Sequence, residues 1–227
     1  MFKKFLRAVR DFFIKDKPVV IKPTKPITPM PTDLGHPVPT IGIVVGHNER
    51  AQGADNYLGE SEWVFNSRIA KKLHAKLTEV GIASVVIFRP KRGGYSHEVS
   101  SVIRQLLDLG CKFSIHLHFN SAGKGAMGVE TLVADTRSTY DNAWGKVFSD
   151  ILNETYDFIE RGKDGVKTLS RKHRGATMLY AAKKVGITGV LPEPCFGDYR
   201  TKESALIFEQ EDKYVDVLRD AVVRTWK

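Results

Sequence analysis

Two hydrophobic periods alternate along most of the chain. Thr40-Ile-Gly-Ile-Val-Val-Gly46 is a short apolar run of the buried-strand kind. A polar stretch holding Gly53 follows. Val64, Ile69, Leu73, Leu77 and Val80 then fall on one helical side and Gly81 ends the pattern, which predicts a helix over 61–80. Ala83–Phe88 reads as a second strand. Val99, Val102, Ile103, Leu106 and Leu107 predict a helix over 98–109, stopped by Gly110. Phe113, Ile115, Leu117 and Phe119 recur at period two and predict a central strand over 112–119. Val129–Ala134 and Gly189–Glu193 read as further strands and 143–158 as a helix. Lys202–Trp226 reads as one closing helix, with Ile207, Tyr214, Val217, Leu218, Ala221 and Val222 as its buried stripe. Residues 160–175 show no period, and Thr177–Lys184 fits either a strand or a helix. Strands alternating with helices predict an α/β fold: a twisted, largely parallel sheet with helices on both faces.

The first forty residues follow other rules. Phe2, Phe5, Leu6, Val9, Phe12 and Phe13 share a helical face, while Lys3, Lys4, Arg7, Arg10 and Lys15 fall mostly elsewhere. Residues 1–17 are thus predicted to hold a basic amphipathic helix over 2–15, too short to be stable alone in water. An anionic membrane surface would stabilise it; so would docking on the parent domain or on a second subunit. Seven of the ten prolines lie from Pro18 to Pro39, which makes 18–38 an extended linker. One catalytic-sized domain remains, 39–227.

Charge sharpens that division. The net charge is +9, and residues 1–38 hold eight Lys/Arg and three Asp, leaving +4 for the rest. The basic bias belongs largely to the N-terminus and implies an anionic partner there. Basic residues interleaved with aromatics, or zinc-finger spacing, would suggest nucleic acid; neither occurs. The basic run Arg171-Lys-His-Arg174 reads as a solvated loop. Cys111 and Cys195 make no disulfide framework. No run approaches the ~20 apolar residues of a membrane span. Arg7, Arg10 and Asp11 interrupt any signal-peptide core, so synthesis in the cytoplasm without a leader is expected.

The chemistry gathers at strand ends. On the central strand, Ser114, His116, His118 and Asn120 share the face opposite the apolar residues. Buried imidazoles need partners, and ligands of α/β sheets gather beyond the carboxyl ends of strands. His47 follows the first strand, Glu62 lies in the first turn of the next helix, and Glu193 ends the last strand between Pro192 and Pro194. Two imidazoles and one carboxylate form a common catalytic zinc set, and Glu193 is placed to serve as a general base. On physics alone, either His116 or His118 completes the set.

Together these segments resemble the zinc-dependent N-acetylmuramoyl-L-alanine amidases of the amidase-3 type, phage endolysins included. Gly46-His47 with Gly53-Ala54 is similar to the family's first metal motif. Glu62 with Asn66 and Ala70 resembles its Glu-led helix, and Phe88-Arg89 its strand-ending arginine. Ser114 to Ser121 resembles its Ser-Ile-His-x-Asn segment. Gly128-Val-Glu-Thr131 resembles its Gly-Val-Glu strand, and Leu191-Pro-Glu-Pro-Cys-Phe196 the segment of the catalytic Glu. One departure is clear: the family usually has Asp-x-Gly-His-Gly-Gly where this chain has Val44-Val-Gly-His-Asn-Glu49. The resemblance implies Zn2+ held by His47, Glu62 and His118, since His-x-Asn-Ser aligns on His118. It implies Glu193 as the catalytic residue and His116, Asn120 and Arg89 as candidates to contact substrate. The expected reaction is hydrolysis of the amide between N-acetylmuramic acid and L-alanine in peptidoglycan, at the cell wall or periplasm, in the manner of a phage lysin. A zinc peptidase or carboxypeptidase of the stem peptide and a non-catalytic envelope-binding protein are the alternatives.

Overall fold

The computed structural model describes residues 40–135, 138–169 and 174–226. The expected N-terminal helix, the linker and most of the basic run 171–174 lie outside them. Six strands form one sheet: β1 (Thr40–Val45), β2 (Ser84–Ile87), β3 (Cys111–Leu117), β4 (Glu130–Val133), β5 (Val166–Lys167) and β6 (Thr188–Glu193). Their order is β2-β1-β3-β6-β4-β5. All neighbours are parallel except β4 and β6, which run antiparallel with Glu130 opposite Glu193. The helices are α1 (Glu62–Glu79), α2 (Gly94–Asp108), α3 (Thr139–Tyr156), α4 (Arg174–Lys184), α5 (Lys202–Glu209) and α6 (Glu211–Trp226).

Both faces of the sheet are covered, so successive strand residues enter different cores. Ile41, Ile43, Val45, Ile115 and Leu117 pack with Phe65, Ile69 and Leu73 of α1, Trp144 and Phe148 of α3 and Leu218 of α6. Val44, Val85, Ile87 and Cys111 face Val102 and Leu106 of α2 and Met178 and Ala182 of α4. This is the α/β architecture the sequence predicts.

Three readings change. The ambiguous 177–184 stretch belongs to α4, and the period-free 160–175 region contains β5, a two-residue strand too short to show a period. The single closing helix is two helices, broken at Gln210 (φ −125°, ψ 51°). Thr201 and Ser204 form a capping box for α5, while Glu211 at the start of α6 pairs with Arg68 and Lys72 of α1. The apolar stripe runs through the break because both helices face one core. Cys111 and Cys195 are buried and free. Among the described residues no helix is long and apolar enough to cross a membrane.

Strand order also fixes where a site belongs. From β1 the chain passes to β2 on one side, and β3 then lands on β1's other side. Loops leaving neighbouring strands in opposite directions open a crevice beyond their carboxyl ends. His47 and His118 follow β1 and β3, at that crevice.

Candidate active site

His47 lies two residues past β1 in the left-handed region, at φ 61°, a conformation that side chains with a Cβ rarely adopt. Its neighbours enforce it. A Cβ at Gly46 would sit 2.3 Å from the Leu117 carbonyl oxygen, so only glycine lets the chain pass β3 there. Asn48 Oδ1 accepts from the backbone N–H groups of Arg50 (2.9 Å) and Ala51 (2.8 Å). Its Nδ2 donates to Glu98 Oε1 at 3.1 Å. This buried Asn stands where the resembled family carries glycine, and its side chain supplies the turn.

The loop then folds back on itself at the start of α1. Glu62 N donates to Ala54 O (2.8 Å) and Trp63 N to Gln52 O (2.9 Å), while Ser61 caps α1. Glu62 therefore points into the crevice. Its Oε2 lies 3.0 Å from His47 Nε2, and its Oε1 lies 2.7 Å from His118 Nδ1. Oε1 also accepts from Phe119 N at 3.2 Å. Gly53 closes this corner with φ +80°, and a Cβ there would lie 2.7 Å from both Glu62 Oε2 and His47 Cδ2.

Arg89, two residues beyond β2, places Nη2 2.9 Å from His118 Nε2. A guanidinium only donates, so Nε2 accepts and Nδ1–H donates to Glu62. Burial holds the His118 ring below its ordinary pKa, outweighing the pull of Glu62. Burial also pushes Glu62 upward, yet its interactions with His118 and His47 prevail and bring it to about 2. With His118 neutral, the carboxylate owes its charge mainly to the hydrogen bonds it accepts.

One ligand atom from each of His47, Glu62 and His118 lies within 4.8 Å of the others. Zinc bonds of about 2.0–2.2 Å would separate tetrahedral ligand atoms by about 3.3 Å. The 2.7 and 3.0 Å contacts of Glu62 are close to that edge. Imidazoles and a carboxylate are also the donor types such an ion takes, so these residues fit a metal.

The two histidines of β3 part company. His116 is fully buried, with Nε2 3.0 Å from Ser114 Oγ, and it stands apart from the cluster. Asn120 directs Nδ2 to Glu130 Oε1 at 3.2 Å, and its backbone extends the pairing of β3 and β6 to Phe196.

Glu193 ends β6 almost fully buried, its Oε2 without a hydrogen-bond partner among the described residues. Burial first, then the charges of Glu62 and Glu130, raise its pKa well above the ordinary carboxylate range; Lys167 opposes them. Sequence reading gave no role to Glu130, buried opposite it, whose Oε2 meets Arg161 and Lys167. Its signal was an acid inside an apolar strand, a group that requires partners.

A largely parallel sheet whose switch-point crevice holds metal-type donors, with an acid of raised pKa at the end of β6, has the parts that hydrolysis uses. The family is specific: residues 41–223 match the Amidase_3 model, and the chain belongs to this N-acetylmuramoyl-L-alanine amidase family. It is accordingly an enzyme of peptidoglycan amide hydrolysis. The fold is shared with the catalytic domain of the CD27L endolysin, which targets Clostridia Difficile: 21% identity, TM-score 0.65, 82% of this chain and 97% of that one covered. It is shared with the amidase AmiC2 of Nostoc punctiforme at 17% identity and TM-score 0.64, covering 84% and 98%. The amidase Ami1 of Mycobacterium smegmatis gives 17% and 0.65, covering 83% and 96%. No curated protein sequence matches the chain.

Proposed function

We propose that the chain is a zinc-dependent amidase in which His47, Glu62 and His118 hold the ion and Glu193 moves the proton. The bond cut is the amide between the lactyl group of N-acetylmuramic acid and L-alanine. The observation that carries this reading is the pairing of the His-Glu-His cluster with a buried acid whose Oε2 has no partner among the described residues. Zinc bound there would supply Lewis acidity toward the carbonyl and lower the pKa of water to about 7.

The chain's own residues do the rest. Glu193 Oε2 receives the proton of the attacking water and passes it to the leaving nitrogen. A pKa raised by burial makes this carboxylate a stronger base than an exposed Glu. Asn48 fixes the loop of His47, so that ligand is oriented before substrate arrives. The division into a basic segment 1–17, a linker 18–38 and a catalytic unit 39–227 belongs to the same reading. It is supported by the family match starting at residue 41 and by β1 starting at Thr40.

Biologically, we read the enzyme as a lysin that degrades a host cell wall, with residues 2–15 engaging anionic membrane. The endolysin among its structural neighbours and the basic apolar N-terminal pattern support this. The test is mass spectrometry of purified peptidoglycan digested with and without a chelator. New free alanine amino termini on intact stem peptides, lost on chelation and restored by zinc, are expected. Shortened stem peptides would instead make the chain a peptidase and overturn the bond assignment.

A further inference from the structure

Two cations at the edge of the site make no hydrogen bond to the residues assigned to that chemistry. Arg161 follows α3 and Lys167 ends β5, yet both reach Glu130 Oε2, with Nε at 3.2 Å and Nζ at 3.3 Å. The other oxygen of Glu130 accepts from Asn120. One buried carboxylate thus meets two full positive charges, a surplus of one. Glu130 and Glu193 are directly opposed in the antiparallel register, which sets their Cβ atoms about 5 Å apart. Both cations therefore stand near the acid assigned to the reaction, and Lys167 opposes the rise of its pKa.

The cations face outward. Their side chains are 38% and 37% exposed, against 6% for Glu130. Arg161 is held in place, its guanidinium 4.9 Å from the centre of the Phe196 ring and its Nη1 donating to Met127 O at 3.3 Å. Among the described residues Nη2 has no acceptor, and Lys167 Nζ has none but Glu130. A fixed guanidinium edge and an ammonium, joined through Glu130 and both partly open to solvent, can offer an anion charge-assisted hydrogen bonds.

We propose that Arg161 and Lys167 form a carboxylate subsite, which binds the peptide of the substrate beside the bond at Glu193. This rests on the amidase reading, which also selects the ligand. In that substrate the lactyl carboxyl is consumed in the amide, and the sugar offers hydroxyl and N-acetyl groups. Negative charge lies on the peptide, on backbone carboxylates near the alanine. The subsite therefore distinguishes a free carboxylate from its carboxamide, which keeps the shape and loses the charge.

Two soluble muramoyl peptides test this, alike except for a carboxylate or a carboxamide on the residue after alanine. Binding by calorimetry and steady-state cleavage are both measured on the full zinc-loaded chain. The carboxylate form is expected to bind about tenfold more tightly, as for one charge-assisted contact at a partly exposed site. The preference should appear in KM and shrink with added salt. Lys167→Met and Arg161→Gln should each reduce the preference several-fold. Equal binding of the two peptides by the wild-type chain, or binding of neither, overturns the subsite without needing a variant to fold. A loss in the variants that is equal for both peptides also overturns it, leaving the cations as mere supports of Glu130. Discrimination in binding without cleavage keeps the subsite and removes the amidase reading; cleavage without discrimination does the reverse.

Discussion

Glu193 combines a buried oxygen that has no partner among the described residues with a raised pKa, and both have measurable consequences. Glu193→Gln keeps the shape and removes the base. It should lower kcat by about 10²–10⁴-fold while zinc content by atomic absorption stays at one per chain; full activity would end its assignment. The same group sets a pH dependence in the metal-free protein. Its folded pKa lies above the ordinary 4.5, so its contribution to stability is complete below that value and is lost as pH rises through the folded pKa. Urea denaturation should show this loss in the wild type and not in Glu193→Gln. Glu62, brought to about 2, has the opposite sign: its contribution is present above 4.5 and disappears as pH falls toward 2. Gly53 is packed directly against two of the cluster residues. Gly53→Ala would strain a φ of +80° and push a methyl onto Glu62 and His47. We expect a stability loss of about 1–2 kcal/mol and zinc binding at least ~10-fold weaker by chelator competition, since both ligands must move. Unchanged zinc affinity would mean that the corner around Gly53 does not define the metal site.

At the scale of elements, α1 links the core to the site, because its buried stripe packs under β1 while its first residue is Glu62. The Ser61 hydroxyl accepts from Val64 N at 3.4 Å and donates to Gln52 Oε1 at 2.7 Å. It thereby holds the first turn and the preceding loop together. Ser61→Ala should cost about 1 kcal/mol by chemical denaturation and weaken zinc binding a few-fold by loosening Glu62; a stability loss with unchanged zinc affinity would uncouple cap from site. The same elements show what a sequence makes legible. β3 was readable because its apolar alternation runs uninterrupted to Phe119, which left His116 and His118 as anomalies on the other face. The choice between them was not readable. Both imidazoles share one face at period two, and only the end of the strand at Leu117 and the reach of Glu62 separate them. The break at Gln210 was hidden because both closing helices turn their stripes to one core. Arg161 and Lys167 were hidden for another reason: they meet Glu130 across 31 and 37 positions, from a segment with no period to place it.

At the scale of the whole molecule, charge and core are unevenly divided. Of the net +9, residues 1–38 carry +5, whereas the main buried clusters draw on residues 41–222. If the catalytic unit folds on that core alone, removing residues 1–38 should leave its thermal midpoint and its rate on purified peptidoglycan unchanged. What should change is binding to surfaces. The segment 2–15 carries five Lys/Arg against one Asp beside an apolar stripe of four phenylalanines, one leucine and one valine. Each cation near an anionic bilayer contributes about 1 kcal/mol and is screened by salt. Full-length protein should therefore sediment with vesicles containing phosphatidylglycerol, release in high salt, and leave neutral vesicles alone, while the truncated chain binds neither kind. Killing of membrane-enclosed cells should fall with the truncation, although isolated walls are cut as before. A lowered thermal midpoint on truncation, with vesicle binding unchanged, would place the apolar stripe against the catalytic unit and remove the membrane role. The two measurements separate these occupants because a stripe buried on the domain stabilises the fold and is unavailable to lipid, whereas one reserved for lipid adds nothing to the fold in water.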